Sequence, residues 1–395
     1  MKGIHSFDRD PCLAVLKTRV AFCEPGGGGL FSAVFEDTIF HPESGGQPSD
    51  RGTVAGVELA GVLPGTGGEV VHLLPAPVSG EVELVLDWPR RFDLMQQHTA
   101  QHMLSCLALS RFGWRTSAFH LGESRSDIEL EVPSLAFEDL APLEDAVNDV
   151  ILENRRVTWR HAAPESVDMS EVRSRRLPKD PVNCMRLVEI EGLDCNNCGG
   201  THVSSTGQVR LVKLTATERL RGGTRVFYLA GNRALTWTGE AMLRERRLSR
   251  ALTCSPAEQA DSVERLLERL KDSERRARAI STELAGILGR EAAAGDGGVE
   301  HLHRDEPDME FLRTAADTAL SVRPGCRLLL TGGRMEGVFL VAGPVDWTAE
   351  AGPLAARILE GRGGGSGPLY QGRASRLDRT GEALDALRGL KDPRG

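Results

Sequence analysis

Two pairs of residues constrain this chain more than any other feature: His98 with His102, and Cys198 with His202, a hundred positions further on. The first pair lies in Leu94-Met95-Gln96-Gln97-His98-Thr99-Ala100-Gln101-His102-Met103-Leu104, the second in Cys198-Gly199-Gly200-Thr201-His202. A four-residue step on a helix puts both imidazoles on one face, one turn apart, where they can share a metal. A Cys and a His four apart in a Gly-rich turn can supply two further ligands. Either pair alone is more often structural than metal-binding. Two such pairs on separate elements favour a metal, and three imidazoles with one sulfur suit zinc. A four-ligand protein site is normally structural, whereas a catalytic one keeps a position open. Cys195 forms Cys-x-x-Cys with Cys198 and is a rival ligand or redox partner. With no second Cys-x-x-Cys to complete a Cys-rich finger, it is left outside the ligand set.

The 395 residues suffice for two to four domains with their own cores. No run reaches the ~18 consecutive apolar residues of a membrane span, and the N-terminus has no secretory signature. The eight cysteines show no paired framework, which fits reduced thiols and a cytoplasmic setting. A net charge of −8 argues against indiscriminate coating of nucleic acid. The charge is uneven, however. Residues 205–250 carry ten Lys or Arg against three Glu, an excess that can steer a polyanion or simply solvate a surface.

The expected fold class is α+β. Residues 1–92 read as a small β-barrel, with short runs at Ala14–Val20, Ala33–Phe35 and Val82–Leu86 between Gly/Pro turns. Helical spacing takes over at 93–112, followed by a strand at Asp127–Val132 and a helix at Leu135–Arg155. Strands at Cys184–Ile190, Val209–Thr215 and Thr224–Ala230 complete an expected metal-binding domain over 93–250. Ser255-Pro256 opens a helical connector over 255–294. Its residues Val263, Leu266, Leu270, Ser273, Ala277, Ile280, Leu284 and Ile287 repeat with coiled-coil spacing. The expected C-terminal α/β domain, 299–395, has strands at Arg327–Thr331 and Val338–Ala342, a helix at Ala349–Leu359 and the Gly-rich run Gly361–Gly367.

There is no His-Glu-x-x-His, no Walker A sequence and no Ser nucleophile elbow. The His-Thr-Ala-x-His and Cys-Gly-Gly-Thr-His-Val motifs instead resemble the editing domain of alanyl-tRNA synthetase and its free-standing AlaX relatives, the alanyl-tRNA editing proteins. Phe40-His41-Pro42-Glu43-Ser44-Gly45-Gly46-Gln47-Pro48-Ser49-Asp50-Arg51-Gly52 resembles the family's Gly-rich segment, and Thr116–Glu123 and Ser126–Leu130 also fit. The likeness covers residues 1–240 well. The connector and C-terminal domain are similar to the synthetase's C-terminal appendage, as in long AlaX forms.

The resemblance implies zinc held by His98, His102, Cys198 and His202, and hydrolysis of the ester joining a wrong amino acid to tRNA. The expected substrate is tRNA(Ala) mischarged with serine or glycine. Because the motifs begin near residue 1, editing in trans is expected. Ser44, Gly45, Gly46, Gln47 and Thr201 are candidate substrate contacts, and Arg219, Arg221 and Arg225 candidate tRNA contacts. Nucleotide and ATP binding come with the same resemblance. A homodimer through the 256–292 helix or the C-terminal domain is also expected, and no membrane partner. Two alternatives stay open: a non-catalytic tRNA- or protein-binding adaptor with a structural zinc, and editing of threonyl-type tRNA, which ranks lower because the Gly-rich segment resembles the alanine system more.

Overall fold

A computed structural model describes residues 4–44, 46–170, 172–173 and 185–390. The chain divides into two compact units, residues 1–247 and 248–395. Among the described residues no helix is long and apolar enough to cross a membrane.

In the first unit a short helix, α1 (Ser6–Arg9), precedes β1 (Val15–Pro25), β2 (Phe31–Phe35), β3 (Gly52–Val54), β4 (Val57–Glu58), β5 (Gly61–Pro64), β6 (Val70–Leu74) and β7 (Glu81–Leu86). The strands form one sheet in the order β4-β3-β7-β1-β2-β6-β5. Its outermost strands are consecutive in the chain, joined only by Leu59 and Ala60, so the sheet must curl to bring its edges to one short connection. Strand β7 alternates exposed and buried residues, the period of a half-buried strand. Phe35, Phe40, Val54, Leu74 and Leu84 fill the curl.

Helix α2 (Trp88–Phe112) begins five residues before the helical spacing does. Asp87 caps it by accepting from the Arg90 amide at 3.2 Å, and Pro89 sits in the first turn, where its missing N–H costs nothing. Gly113, at φ 71°, ends it in the left-handed conformation. Around α2 lie β8 (Thr116–Leu121), β9 (Ser126–Leu130), α3 (Ala141–Leu152), β10 (Val157–Ala162), β11 (Met185–Ile190), β12 (Asp194–Asn197), β13 (Val212–Leu220) and β14 (Gly223–Ala230). They form a three-stranded sheet, β10-β11-β12, and a four-stranded sheet, β13-β14-β9-β8. Buried glutamines of α2 dock it on the second sheet. Gln97 accepts from the Ala230 amide at 3.0 Å and donates to the Ala230 carbonyl at 2.9 Å. Helix α4 (Gly231–Leu252) follows.

Several boundaries differ from the expected ones. The helix expected at Leu135–Arg155 starts as a 3₁₀ turn and becomes α-helical only at Ala141. The strand expected from Val209 starts at Val212, because Arg210 has φ 68° and breaks extension. Cys184, the expected first residue of β11, lies outside the described residues. Helix α4 was not foreseen. It buries only Gly231 and Ala234, and its large apolar residues Leu235, Trp237, Met242, Leu243 and Leu248 are exposed among five Arg and two Glu.

The second unit contains α5 (Gln259–Ala293), β15 (Val299–Arg304), α6 (Met309–Val322), β16 (Arg327–Gly333), β17 (Gly337–Ala342), α7 (Val345–Ile358), β18 (Arg362–Gly364), β19 (Leu369–Ala374) and α8 (Thr380–Arg388). The sheet order is β15-β16-β17-β19-β18; β15 and β16 are parallel, with α6 as the crossover. The end of α5 packs on α6 through small residues: a Cβ at Gly289 would lie 2.4 Å from the Ala315 carbonyl oxygen. Elements β15, α6 and α8 were missed from the sequence. Part of the Gly-rich run becomes strand β18.

Candidate metal centre

Helix α2 and the turn after β12 meet in the first unit. The ligand atoms of His98, His102, Cys198 and His202 all lie within 4.8 Å of one another, a grouping that can hold a metal ion. Cys198 Sγ is 3.3 Å from His98 Nε2 and 3.4 Å from His202 Nε2. The three imidazoles are buried and Cys198 is half-buried.

Each imidazole uses its other nitrogen on a protein oxygen. His98 Nδ1 donates to Gln47 Oε1 at 2.9 Å and His102 Nδ1 to Asp194 Oδ2 at 3.2 Å, and His202 Nδ1 lies in hydrogen-bond contact with Thr99 Oγ1 at 3.2 Å. The carboxylate can only accept, and Gln47 Oε1 is identified as the oxygen because it also accepts from the Thr201 amide at 3.0 Å. In His98 and His102 the proton therefore sits on Nδ1, leaving the Nε2 lone pair free to ligate. The Val203 amide fixes the Thr99 hydroxyl at 3.3 Å.

Asp194 is itself held by Arg173, at 2.7 Å from Nε to Oδ1 and 3.1 Å from Nη2 to Oδ2. Burial would raise its carboxyl, but bonds from His102 and Arg173 outweigh this and bring it to about 2. Burial would likewise raise the Cys198 thiol; His98 and His202 beside it hold it well below the usual thiol range. That direction suits metal ligation, which takes the cysteine as thiolate.

Gly200 shows how tightly the two elements meet. A Cβ there would lie 2.2 Å from His98 Cε1 and 2.7 Å from Gln47 Oε1, so no other residue fits without displacing the ligand.

The structure brings some of the other expected residues to this centre. Gln47 and Thr201 are buried, and the Gln47 amide donates to the Thr201 hydroxyl at 2.9 Å. Their polar groups thus serve each other and His98. Ser44 and Gln47 close a tight turn on each other's backbones, with the Ser44 hydroxyl 3.4 Å from His41 Nε2. Gly46, at φ 84°, has Phe119 over its α-carbon, and the Phe119 ring lies 5.6 Å from that of His98. Gly45 lies outside the described residues. Arg219 and Arg221 are exposed at the end of the β13–β14 hairpin. Arg225 is occupied with carboxylates: Glu129 at 2.7 Å, Glu218 at 3.3 Å and Asp127 at 3.4 Å. Cys195 packs with Val172, Met185 and Leu187 in a separate apolar cluster.

Sequence reasoning missed Thr99, Asp194 and Arg173. Thr99 is visible only as the neighbour of a ligand. Asp194 lies four residues before Cys198, a spacing without meaning until β12 aims it at His102.

Residues 185–228 match the sequence profile of the threonyl and alanyl tRNA synthetase second additional domain. The chain is 34% identical to the alanyl-tRNA editing protein Aarsd1 of Mus musculus, over 96% of this chain and 96% of the mouse protein. Aarsd1 of Danio rerio is 34% identical over 90% of this chain and 87% of its own length. The alanine–tRNA ligase of Thermococcus kodakarensis is 29% identical over 90% of this chain, which corresponds to 41% of the ligase. With similarity of this extent to Aarsd1, and with the ligand motifs converging in space, the chain belongs to the family of alanyl-tRNA editing proteins.

Proposed function

We propose that this protein hydrolyses the ester of tRNA(Ala) mischarged with serine or glycine, using zinc held by His98, His102, Cys198 and His202. The observation that carries this reading is geometric: every imidazole of the group is tied at Nδ1 to a protein oxygen, and one ligand atom from each of the three histidines and Cys198 lies within 4.8 Å of the others. That donor set suits zinc. Zinc bound there supplies a Lewis acid beside the ester.

The chain's own residues do the positioning. Gln47 fixes the ring of His98, Asp194 that of His102 and Thr99 that of His202. Ser44, Gly46, Gln47 and Thr201, with Gly45 outside the described residues, are assigned to contact the aminoacyl group, and the exposed Arg219 and Arg221 to meet tRNA phosphates. Selection at a second site is needed because an apolar synthetase pocket rejects an added hydroxyl by only about 10²-fold. Ester hydrolysis runs downhill, so the ATP binding suggested by resemblance has no part in this step.

The test is a deacylation panel with Ser-, Gly- and Ala-charged tRNA(Ala) and metal-replete protein. We expect Ser-tRNA(Ala) to be cleaved well ahead of Ala-tRNA(Ala), with His98→Ala at the uncatalysed rate. Equal rates for wild type and His98→Ala overturn the proposal. Loss of folding on zinc removal, with no hydrolysis by the zinc-loaded protein, points instead to an adaptor with a structural metal.

A further inference from the structure

Three successive carbonyls precede the last ligand of the centre, and all three are held by buried side chains. Arg186, on β11, donates from Nη1 to the Cys198 carbonyl at 2.9 Å and to the Gly200 carbonyl at 2.7 Å. The carbonyl between them, Gly199, lies 3.2 Å from His41 Nε2. The Arg186 backbone carbonyl also accepts from the Cys198 amide at 2.9 Å. One residue thus grips the ligand turn from both its main chain and its side chain.

Arg186 is buried, and among the described residues its Nε and Nη2 find no hydrogen-bond partner; Nε lies 3.7 Å from Asp8 Oδ1 of α1, beyond hydrogen-bonding reach. Keeping a guanidinium in such a place is costly unless its bonds matter. The bonds it makes turn the carbonyls of Cys198 and Gly200 toward it. Those carbonyls belong to the peptides on either side of the Gly199–Gly200 peptide, whose own carbonyl lies against His41; its Gly200 N–H, 3.4 Å from Cys198 Sγ, donates to the sulfur. An N–H donated to a thiolate disperses its charge and fixes the direction of its remaining lone pairs.

We infer that Arg186 is a positioning residue of the metal centre: it orients the Cys198-Gly199-Gly200 turn so that the thiolate is aimed at the three imidazoles and receives the Gly200 amide. It touches neither substrate nor metal and acts through Cys198. This rests on the reading of the four residues as metal ligands. A lysine can replace the charge but not the planar fork, so it restores the function only in part.

The experiment uses the full chain loaded with Co²⁺, whose thiolate charge-transfer band reports the cysteine–metal bond directly. Wild type, Arg186→Lys and Arg186→Met are compared for circular dichroism, cobalt affinity against a chelator, and the position and intensity of that band. We expect Arg186→Met to bind cobalt roughly 10- to 100-fold more weakly, the range for residues that orient a ligand, with a shifted and weakened band. Arg186→Lys should recover part of both. If Arg186→Met does not fold, the lysine variant alone decides, since a spectrum and affinity equal to wild type overturn the inference. Met and Lys variants that lose affinity equally, with an unchanged band, also overturn it, because a merely structural residue would behave so. A wild type that takes up cobalt without any thiolate band refutes the ligand reading itself, a result distinct from these.

Discussion

Helices α2 and α5 invert the usual rule of inside and outside. In α2 the polar residues Gln96, Gln97, His98, Thr99, Gln101 and His102 are all buried. In α5 the apolar residues Val263, Leu266, Leu270 and Ile280 are between 43% and 65% exposed. The polar groups of α2 are tolerated because nearly all have partners: Gln96 and Gln97 bond to backbone, Gln101 to the Ser105 hydroxyl, and the imidazoles to Gln47, Asp194 and Thr99. The apolar groups of α5 are tolerated because exposed leucines cost little singly. Buried polar residues with matched partners therefore mark function more sharply than exposed apolar ones do.

Substitutions can test that contrast, with effects expected to fall in the order given. After His98→Ala, the largest loss should come from Asp194→Asn, which weakens the hold on His102. We expect zinc affinity to drop roughly 10- to 100-fold, measured by chelator competition. Asp194 also predicts a pH dependence. Its folded carboxyl is held at about 2, against about 3.9 in an unfolded chain. Its contribution is then complete above about pH 4 and lost as pH falls toward 2, amounting to roughly 2 kcal/mol. Acid unfolding followed by circular dichroism should show a shallower loss of stability over that interval in Asp194→Asn; an unchanged acid limb would contradict the assignment.

Gln97→Leu should come next. It leaves the amide and carbonyl of Ala230 without partners in the core, at a cost of about 1–3 kcal/mol, read from denaturant unfolding. A neutral result would mean that α2 tolerates its buried polar groups for some reason other than pairing. Leu266→Ser on α5 should be smallest, within about 0.5 kcal/mol. A larger loss, growing with protein concentration, would reveal a second copy covering the seam, the homodimer that the coiled-coil spacing leads one to expect.

The legibility of the sequence follows the same division. The four residues that come together as a group able to hold a metal were readable because metal binding demands special residue types at helical and turn spacing. The α2 core was readable from its spacing, and β7 from its alternation. Helix α4 was missed although Ala234, Ala241 and Leu248 recur at helical spacing, among charged residues that drew notice only as a basic stretch. Gln47 was noticed but suited to a substrate contact; only its contacts reveal an amide committed to His98 and Thr201. Arg225 looked available to phosphate by composition, yet it sits among Asp127, Glu129 and Glu218.

By itself, the sequence determined which four residues could hold a metal, the family likeness and the β-then-mixed order of elements, since these depend on local spacing and residue chemistry. The tertiary structure decided which groups stand behind the ligands. Asp194, Arg173, Thr99 and Arg186 become a supporting shell only when β11, β12 and α2 are set side by side. Hydrogen bonds act over about 3 Å, and no spacing along the chain specifies which distant residues will come within that reach.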